Sequence, residues 1–218
     1  MGHAPSAGGR HHAHHFTSHA HEFDTCKQGM WLFLLQEVLF FSPLFVAYAI
    51  FRGFYTHDFH HAHMELNWKL GALNTVVLIF SSFTMARAVT AAQMGNNAKV
   101  VRNLIPTILC AFGFVAVKYI EYSAKIHHGL LPAGLFNNPE LLAEAPKAPI
   151  FFSLYFCMTG LHAIHVVGGI GALVWILLRA RKNEFTPEYF TPVEMVGLYW
   201  HFVDLVWIYL FPLLYLVG

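Results

Sequence analysis

Charged residues are scarce in this sequence, and their scarcity excludes most classes of soluble protein. The 218-residue chain has 13 Lys+Arg and 12 Asp+Glu, which make up 11% of its residues, whereas a soluble domain carries about 25%. So few charges cannot cover a water-exposed surface, and the 56% hydrophobic content argues against a disordered chain. A formal net charge of +1 offers no basic surface for nucleic acid. The class that remains is a membrane protein with several spans.

Cysteine pairs and catalytic sequence motifs are also missing. The three cysteines, Cys26, Cys110 and Cys157, are far apart and form no CxxC pair, so no disulfide framework is indicated. The sequence contains no phosphate-binding loop, dinucleotide fingerprint, HExxH pair or Ser/His/Asp elbow. These absences favour a subunit of a complex, or a transporter, over a self-sufficient enzyme. A small transporter is disfavoured in turn because the sequence has no internal repeat.

Long apolar segments account for most of what is present. Each exceeds the roughly 20 residues that a helix needs to cross the hydrocarbon core, and their continuous apolar character argues against a β-barrel. The sequence therefore predicts an all-α, multi-pass membrane protein built as a bundle of five transmembrane helices. We expect a polar, His-rich and mobile N-terminal tail over residues 1–28, followed by a five-helix domain over 29–218. The predicted helices lie at about 29–52, 69–94, 103–126, 149–179 and 193–217.

The basic residues near the ends of these segments predict the orientation. If the N-terminus is inside, eight Lys and Arg residues fall on the inner side and four on the outer side. An excess of basic residues marks the cytoplasmic side, so the N-terminus is expected inside and the C-terminus outside. The inner residues are Arg10, Lys27, Arg87, Lys99, Arg102, Arg179, Arg181 and Lys182; the outer ones are Arg52, Lys69, Lys125 and Lys147.

A few ionisable residues fall inside the predicted spans, where each needs a partner or a function. Glu37 lies about 12 Å into the first span at 1.5 Å per residue. Two interpretations are open for it: a proton-responsive carboxyl, or a hydrogen-bonded structural glutamate. Lys118 and Glu121 are three residues apart on the third span and can share a face. We interpret them as a structural ion pair rather than a proton relay.

Histidines lie near the middle of the last two spans. His162 and His165 are three residues apart in the fourth span, and His201 and Asp204 repeat this spacing in the fifth. Histidines on two facing helices could ligate haem or a metal ion, which would make the chain a haem-binding membrane anchor. The same residues could instead form hydrogen bonds between helices. The spacing favours the hydrogen-bonding interpretation and leaves the first one open.

These polar residues lie in stretches that resemble subunit III of the haem-copper terminal oxidases. The stretches follow the order of the family and extend over about residues 29–217. The chain resembles the five-helix bacterial form, which lacks the first two helices of the seven-helix form. The matching stretches are Gln36–Phe41, Asn74–Thr75 with Ser81–Ala86, Tyr119–Tyr122, Thr159–Gly169 and, most specifically, Tyr199–Trp207.

The resemblance implies an accessory, non-catalytic subunit of a bacterial proton-pumping oxidase that reduces oxygen to water. The subunit would have no redox centre; haem and copper would lie in partner subunits, and phospholipid would bind in a cleft. It would lie in the bacterial inner membrane, mainly against subunit I, where it would support proton uptake and turnover lifetime. Subunit II, a small subunit IV and a respiratory supercomplex are further expected partners. Cytochrome c oxidase is favoured, with a quinol oxidase or a nitric-oxide reductase as the alternative.

The resemblance also implies roles for single residues. Glu37 matches a family carboxyl that reacts with a hydrophobic carbodiimide. The three histidines match positions that are not haem ligands, so they are interpreted as hydrogen-bonding groups between helices. No catalytic residue and no metal ligand is expected. The expected buried polar framework consists of Glu37, Lys118, Glu121, His162, His165, His201 and Asp204.

Overall fold

The structure is a computed structural model that describes residues 19–132 and 135–217. Within these residues it contains seven α-helices and no β-strand, and five of the helices are long and apolar enough to cross a membrane. The predicted all-α architecture with five spans is therefore confirmed. The helices are α1 His19–Phe54, α2 Thr56–Met64, α3 Trp68–Gln93, α4 Asn97–His127, α5 Pro139–Glu144, α6 Ala148–Arg181 and α7 Thr191–Tyr215.

Two helices begin earlier than their apolar segments. Helix α1 starts at His19, so residues 19–28 of the predicted tail are helical, while residues 1–18 lie outside the described part of the chain. Helix α4 starts at Asn97 rather than near 103, because the Asn96 side chain accepts a hydrogen bond from the Lys99 backbone N–H at 3.0 Å and caps the first turn. Hydropathy finds only the part of a helix that lies in hydrocarbon, whereas the helix continues through polar residues.

Two short helices, α2 and α5, lie in the connections at the end of the molecule opposite the starts of α1 and α4. In α2, Phe59 is fully buried, with its ring centroid 5.5 Å from that of Tyr48 and 5.4 Å from that of Phe151. Asp58 accepts a hydrogen bond from the Lys147 backbone N–H at 2.9 Å. These contacts fasten the connection after α1 to the start of α6.

The core lies between α3, α4, α6 and α7, and α1 packs on the outside against α6 and α7. The largest core side chains are Trp200 and Trp207 of α7, both fully buried. Their indole N–H groups donate to α3, to the Ser81 hydroxyl at 3.0 Å and the Thr75 hydroxyl at 3.1 Å. Both tryptophans thus fill the core and satisfy their polar atom there.

Helices α6 and α7 approach closely at a single glycine. A Cβ atom on Gly169 would lie 2.7 Å from a ring carbon of Trp200, whereas a Cβ atom on Gly171 would meet nothing within 4 Å. Among the glycines of the stretch Gly168–Gly171, the tightest contact is therefore at Gly169.

Candidate functional site

The side chain of Glu37 joins α1 to α6 inside the span. Glu37 is 8% exposed, and its Oε2 lies 2.9 Å from Nε2 of His165. The other ring nitrogen of His165, Nδ1, is 2.8 Å from the backbone carbonyl of Leu161. The two residues are 128 positions apart in the chain, so this pair is a tertiary contact that brings two of the predicted site residues together.

The geometry of this pair is compatible with two arrangements of its protons. Because a carbonyl oxygen only accepts, Nδ1 of His165 must carry a hydrogen. Nε2 then either accepts the proton of a neutral Glu37 carboxyl or, as part of an imidazolium ring, donates to a Glu37 carboxylate. In both arrangements one proton lies between Oε2 and Nε2, and the pair has no net charge. A pair without net charge is the form that a membrane interior tolerates best.

Aromatic side chains surround the imidazole of this pair. The ring of Phe41 lies 5.2 Å from that of His165, centroid to centroid, and the ring of Phe40 lies 6.5 Å away. Tyr199 of α7 donates a hydrogen bond to the His165 backbone carbonyl at 3.0 Å. The pair is therefore supported by α1, α6 and α7, and Tyr199 is a supporting residue that was not among the predicted site residues.

A second polar cluster lies between α4, α6 and α7. Lys118 Nζ is 2.9 Å from Glu121 Oε2 and donates to the Tyr215 hydroxyl at 2.8 Å. That hydroxyl in turn donates to Glu121 Oε1 at 2.6 Å. Lys118 is 5% exposed and Glu121 3%, so the predicted contact forms in a buried place and both carboxylate oxygens have a donor.

Aromatic rings complete the surroundings of the Lys118 ammonium group. Its Nζ lies 4.7 Å from the ring centroid of Trp207, 5.2 Å from that of Tyr155 and 5.3 Å from that of Tyr215. Cation–π attraction is strongest where water is absent. Tyr155 and Tyr215 were not among the predicted site residues. Their sequence signal was indistinct, because aromatic residues are common in every span.

His201 and Asp204 have different surroundings although they share a face of α7. His201 Nδ1 lies 2.6 Å from the Ser82 hydroxyl of α3, which agrees with a hydrogen bond between helices. Asp204 is 2% exposed, and neither of its carboxylate oxygens has a hydrogen-bond partner among the residues that the structure describes. Asn74 of α3 is likewise buried at 1% exposure without a partner in that part of the chain, and it was not among the predicted site residues.

The environment of His162 differs from the predicted one. His162 is 1% exposed, and its ring lies 5.4 Å from that of Trp207 and 5.5 Å from that of Phe114. Neither ring nitrogen hydrogen-bonds to a described residue. His162 therefore packs among aromatic rings in the core instead of making the expected bond to another helix.

The three histidines of the predicted polar framework face three different neighbours. His165 points to α1, His201 to α3, and His162 to the rings inside the core. Over residues 19–132 and 135–217, no group of three or more His, Cys, Asp or Glu side chains is placed to hold a metal ion. Because the histidines do not face one another across two helices, the arrangement does not favour the haem-anchor interpretation.

An apolar cleft lies beside the Glu37–His165 pair, between α1 and α7. It has a volume of about 440 Å³. Phe41 and Phe45 line it from α1, and Phe202 and Tyr209 line it from α7. Such walls suit an acyl chain rather than a polar substrate.

Comparison with known proteins identifies the family. The family model described as cytochrome c oxidase subunit III matches residues 9–129 and 144–218. The chain is 34% identical over 189 residues to a probable cytochrome c oxidase subunit 3 from Nocardia farcinica, covering 87% of this chain and 86% of that protein. It is 35% identical over 195 residues to a cytochrome c oxidase subunit 3 from Corynebacterium diphtheriae, with the same coverage.

A relative from a different kind of oxidase is also similar. The chain is 30% identical over 192 residues to a cytochrome bo(3) ubiquinol oxidase subunit 3 from Pseudomonas putida, covering 87% of this chain and 84% of that protein. All three relatives are named as subunit 3 of an oxidase, and both the family model and the similarity extend over most of the chain. The chain therefore belongs to the cytochrome c oxidase subunit III family.

Proposed function

We propose that this chain is the accessory third subunit of a bacterial, proton-pumping oxidase that reduces oxygen to water with electrons from cytochrome c. Two of the similar proteins are named as cytochrome c oxidase subunits, which supports this donor. The ubiquinol oxidase relative favours quinol as the second candidate. The neighbouring genes separate the two, because a copper-binding subunit II would indicate cytochrome c.

The subunit performs no redox chemistry in this proposal. Haem and copper belong to partner subunits, and this chain stabilises subunit I, supports its proton uptake and extends its turnover lifetime. The outer face of α1 suits such a role, because Trp31, Leu35 and Leu39 recur every four residues and are 59%, 56% and 64% exposed. Subunit I and lipid tails are the apolar surfaces available to cover this face in a bacterial inner membrane. Phospholipid would occupy the cleft between α1 and α7.

The observation that carries the proposal is the Glu37–His165 pair. It joins the Glu37 carboxyl of α1, the helix that packs outside the core, to the His165 imidazole of α6 inside the span. We infer that the pair sets the position of α1 on α6 and therefore the shape of the surface offered to subunit I. A change at Glu37 would then alter the turnover lifetime of the oxidase without affecting its haem groups.

The test is substitution of Glu37 in the assembled oxidase. In Glu37→Ala the His165 imidazole loses its partner, so we expect unchanged haem spectra and a shorter active lifetime during continuous turnover. Glu37→Gln keeps a hydrogen-bonding side chain and should lie between Glu37→Ala and the unaltered protein. Glu188→Ala, at an exposed position outside the helices, is the matched control and should behave as the unaltered oxidase. Loss of haem absorbance with an unchanged lifetime would overturn the assignment.

A further inference from the structure

Three cations line a cleft between α3 and α4 where neither helix offers a carboxylate. Arg87 of α3 and Lys99 and Arg102 of α4 enclose a volume of about 240 Å³ together with Thr90 and Asn103. Helix α3 has no acidic residue, and the one acidic residue of α4 lies near its opposite end, 19 positions beyond Arg102. At 1.5 Å per residue that separation is about 28 Å, too far for an ion pair.

Other cations at the same end of the molecule do have acidic partners. The Asn97 amide donates to the Phe185 carbonyl at 2.7 Å, which places the α3–α4 and α6–α7 connections side by side. Arg179 Nε lies 2.6 Å from Glu184 Oε2, and Lys27 Nζ lies 3.4 Å from Glu194 Oε1. In the described part of the chain, no ion pair involves the cations of the α3–α4 cleft. An anion from outside the chain would therefore meet unneutralised charge.

Exposed apolar surface continues from these cations along both helices. Phe83 lies one turn from Arg87, with its ring centroid 5.8 Å from the guanidinium carbon, and it is 57% exposed. Ile105 lies one turn from Arg102 and is 41% exposed. Residues three, four and seven apart share a helix face, so Arg87 and Arg102 each have an apolar strip beneath them. The strips continue at Phe80, 52% exposed, and at Leu109, 65% exposed.

We propose that this cleft binds the headgroup of an anionic phospholipid, whose acyl chains lie along the exposed faces of α3 and α4. A lipid phosphate accepts charge-assisted hydrogen bonds from guanidinium and ammonium groups, and basic pockets between membrane helices suit anionic headgroups. A ligand with one anionic end and an apolar body satisfies both the cations and the strips, whereas free phosphate satisfies only the cations. The site is separate from the α1–α7 cleft and independent of the electron donor of the complex.

The test compares lipid retention by the subunit within its purified complex. The complex is depleted of lipid and supplied with equal amounts of phosphatidylglycerol and phosphatidylcholine, and native mass spectrometry counts the lipid that leaves with the subunit. We expect a preference for phosphatidylglycerol that falls about five-fold for each cation removed, so that Arg87→Gln/Lys99→Gln/Arg102→Gln shows none. Arg181→Gln/Lys182→Gln, which removes two exposed charges at the same end, is the matched control and should keep the preference.

Further variants and a competition experiment distinguish an anionic lipid from other possible occupants of the cleft. Arg87→Lys/Arg102→Lys retains the charge and should retain the preference; its loss in this variant would overturn the proposal. Displacement of phosphatidylglycerol by equimolar inorganic phosphate would show that the site binds the anion alone. If the triple variant fails to hold a neighbouring subunit but retains phosphatidylglycerol normally, a protein carboxylate occupies the cleft and the lipid assignment is wrong.

Discussion

Lys118 illustrates, at the scale of a single residue, how this bundle accommodates a buried charge. Removing an ion from water costs several kcal/mol even after the protein relaxes. Lys118 recovers this cost through Glu121, the hydroxyl of Tyr215 and the face of Trp207. The stability of the pair therefore depends on both charges being present.

Removal of only one charge should be more damaging than removal of both. Lys118→Met leaves the Glu121 carboxylate buried without its counter-ion, and we expect a loss of about 3–5 kcal/mol in the free energy of unfolding. Lys118→Met/Glu121→Leu leaves no buried charge and should be less destabilised than the single variant. Helix content followed through a detergent-denaturation titration measures both. Lys69→Met, at an exposed position, is the control, and equal losses in the single and double variants would contradict the argument.

The residue scale also shows where sequence spacing stops being informative. The contact between Lys118 and Glu121 follows from a spacing of three residues on one helix, so it was predictable. The same spacing gave no contact between His201 and Asp204. His201 instead lies beside Ser82 of another helix, and which hydroxyl it meets depends on how α7 is rotated against α3.

At the scale of the elements, the packing of α6 against α7 depends on the absence of a side chain at Gly169. The indole of Trp200 occupies the space that a Cβ atom on Gly169 would need, and Trp200 is fixed from the other side by Ser81. The ring therefore has little freedom to move away from α6.

Two alanine substitutions in α6, at Gly169 and at Gly171, separate the effect of the contact with Trp200 from the effect of helix propensity. Gly169→Ala should destabilise the protein by about 1–3 kcal/mol, because the added methyl group overpacks the core against Trp200. Gly171→Ala meets no atom within 4 Å and should be neutral, or stabilising by up to about 1 kcal/mol through helix propensity. Tryptophan fluorescence and the denaturation midpoint measure the two effects. A similar change in fluorescence and denaturation midpoint in both variants would show that Gly169 is not tightly packed against Trp200.

For the whole molecule, the proposed orientation follows from the distribution of basic residues. The inner end in this proposal carries the α3–α4 and α6–α7 connections, with Arg87, Lys99 and Arg102 near the first of them. Lys and Arg near the ends of spans are retained on the cytoplasmic side.

Reporter fusions check this orientation directly. Green fluorescent protein fused after Asn96, in the α3–α4 connection, should fluoresce because that connection lies in the cytoplasm. Alkaline phosphatase fused after Leu216, beyond α7, should be active because that end lies outside. The reciprocal fusions serve as controls and should be dark and inactive. The opposite pattern at both positions would reverse the proposed orientation.

The sequence by itself determined the class of protein and the five spans, and it predicted which ionisable residues lie inside them. Scarcity of charge and apolar segments longer than a bilayer are properties of the chain that need no tertiary contact to be read. For the same reason, the ionisable residues at membrane depth and the stretches that resemble the family were visible in the sequence. Hydropathy did not predict the helical start of α1 at His19, because that signal ends where the membrane ends.

Only the tertiary structure decided which of these residues meet. Glu37 faces His165 across 128 positions, Lys118 is surrounded by rings from α6 and α7, and His162 lies among aromatic side chains without the expected hydrogen bond. Spacing along one helix fixes only which residues share its face. Contacts between helices depend on rotation and vertical offset, which the packing of Gly169, Trp200 and the rest of the core sets after all five spans have assembled.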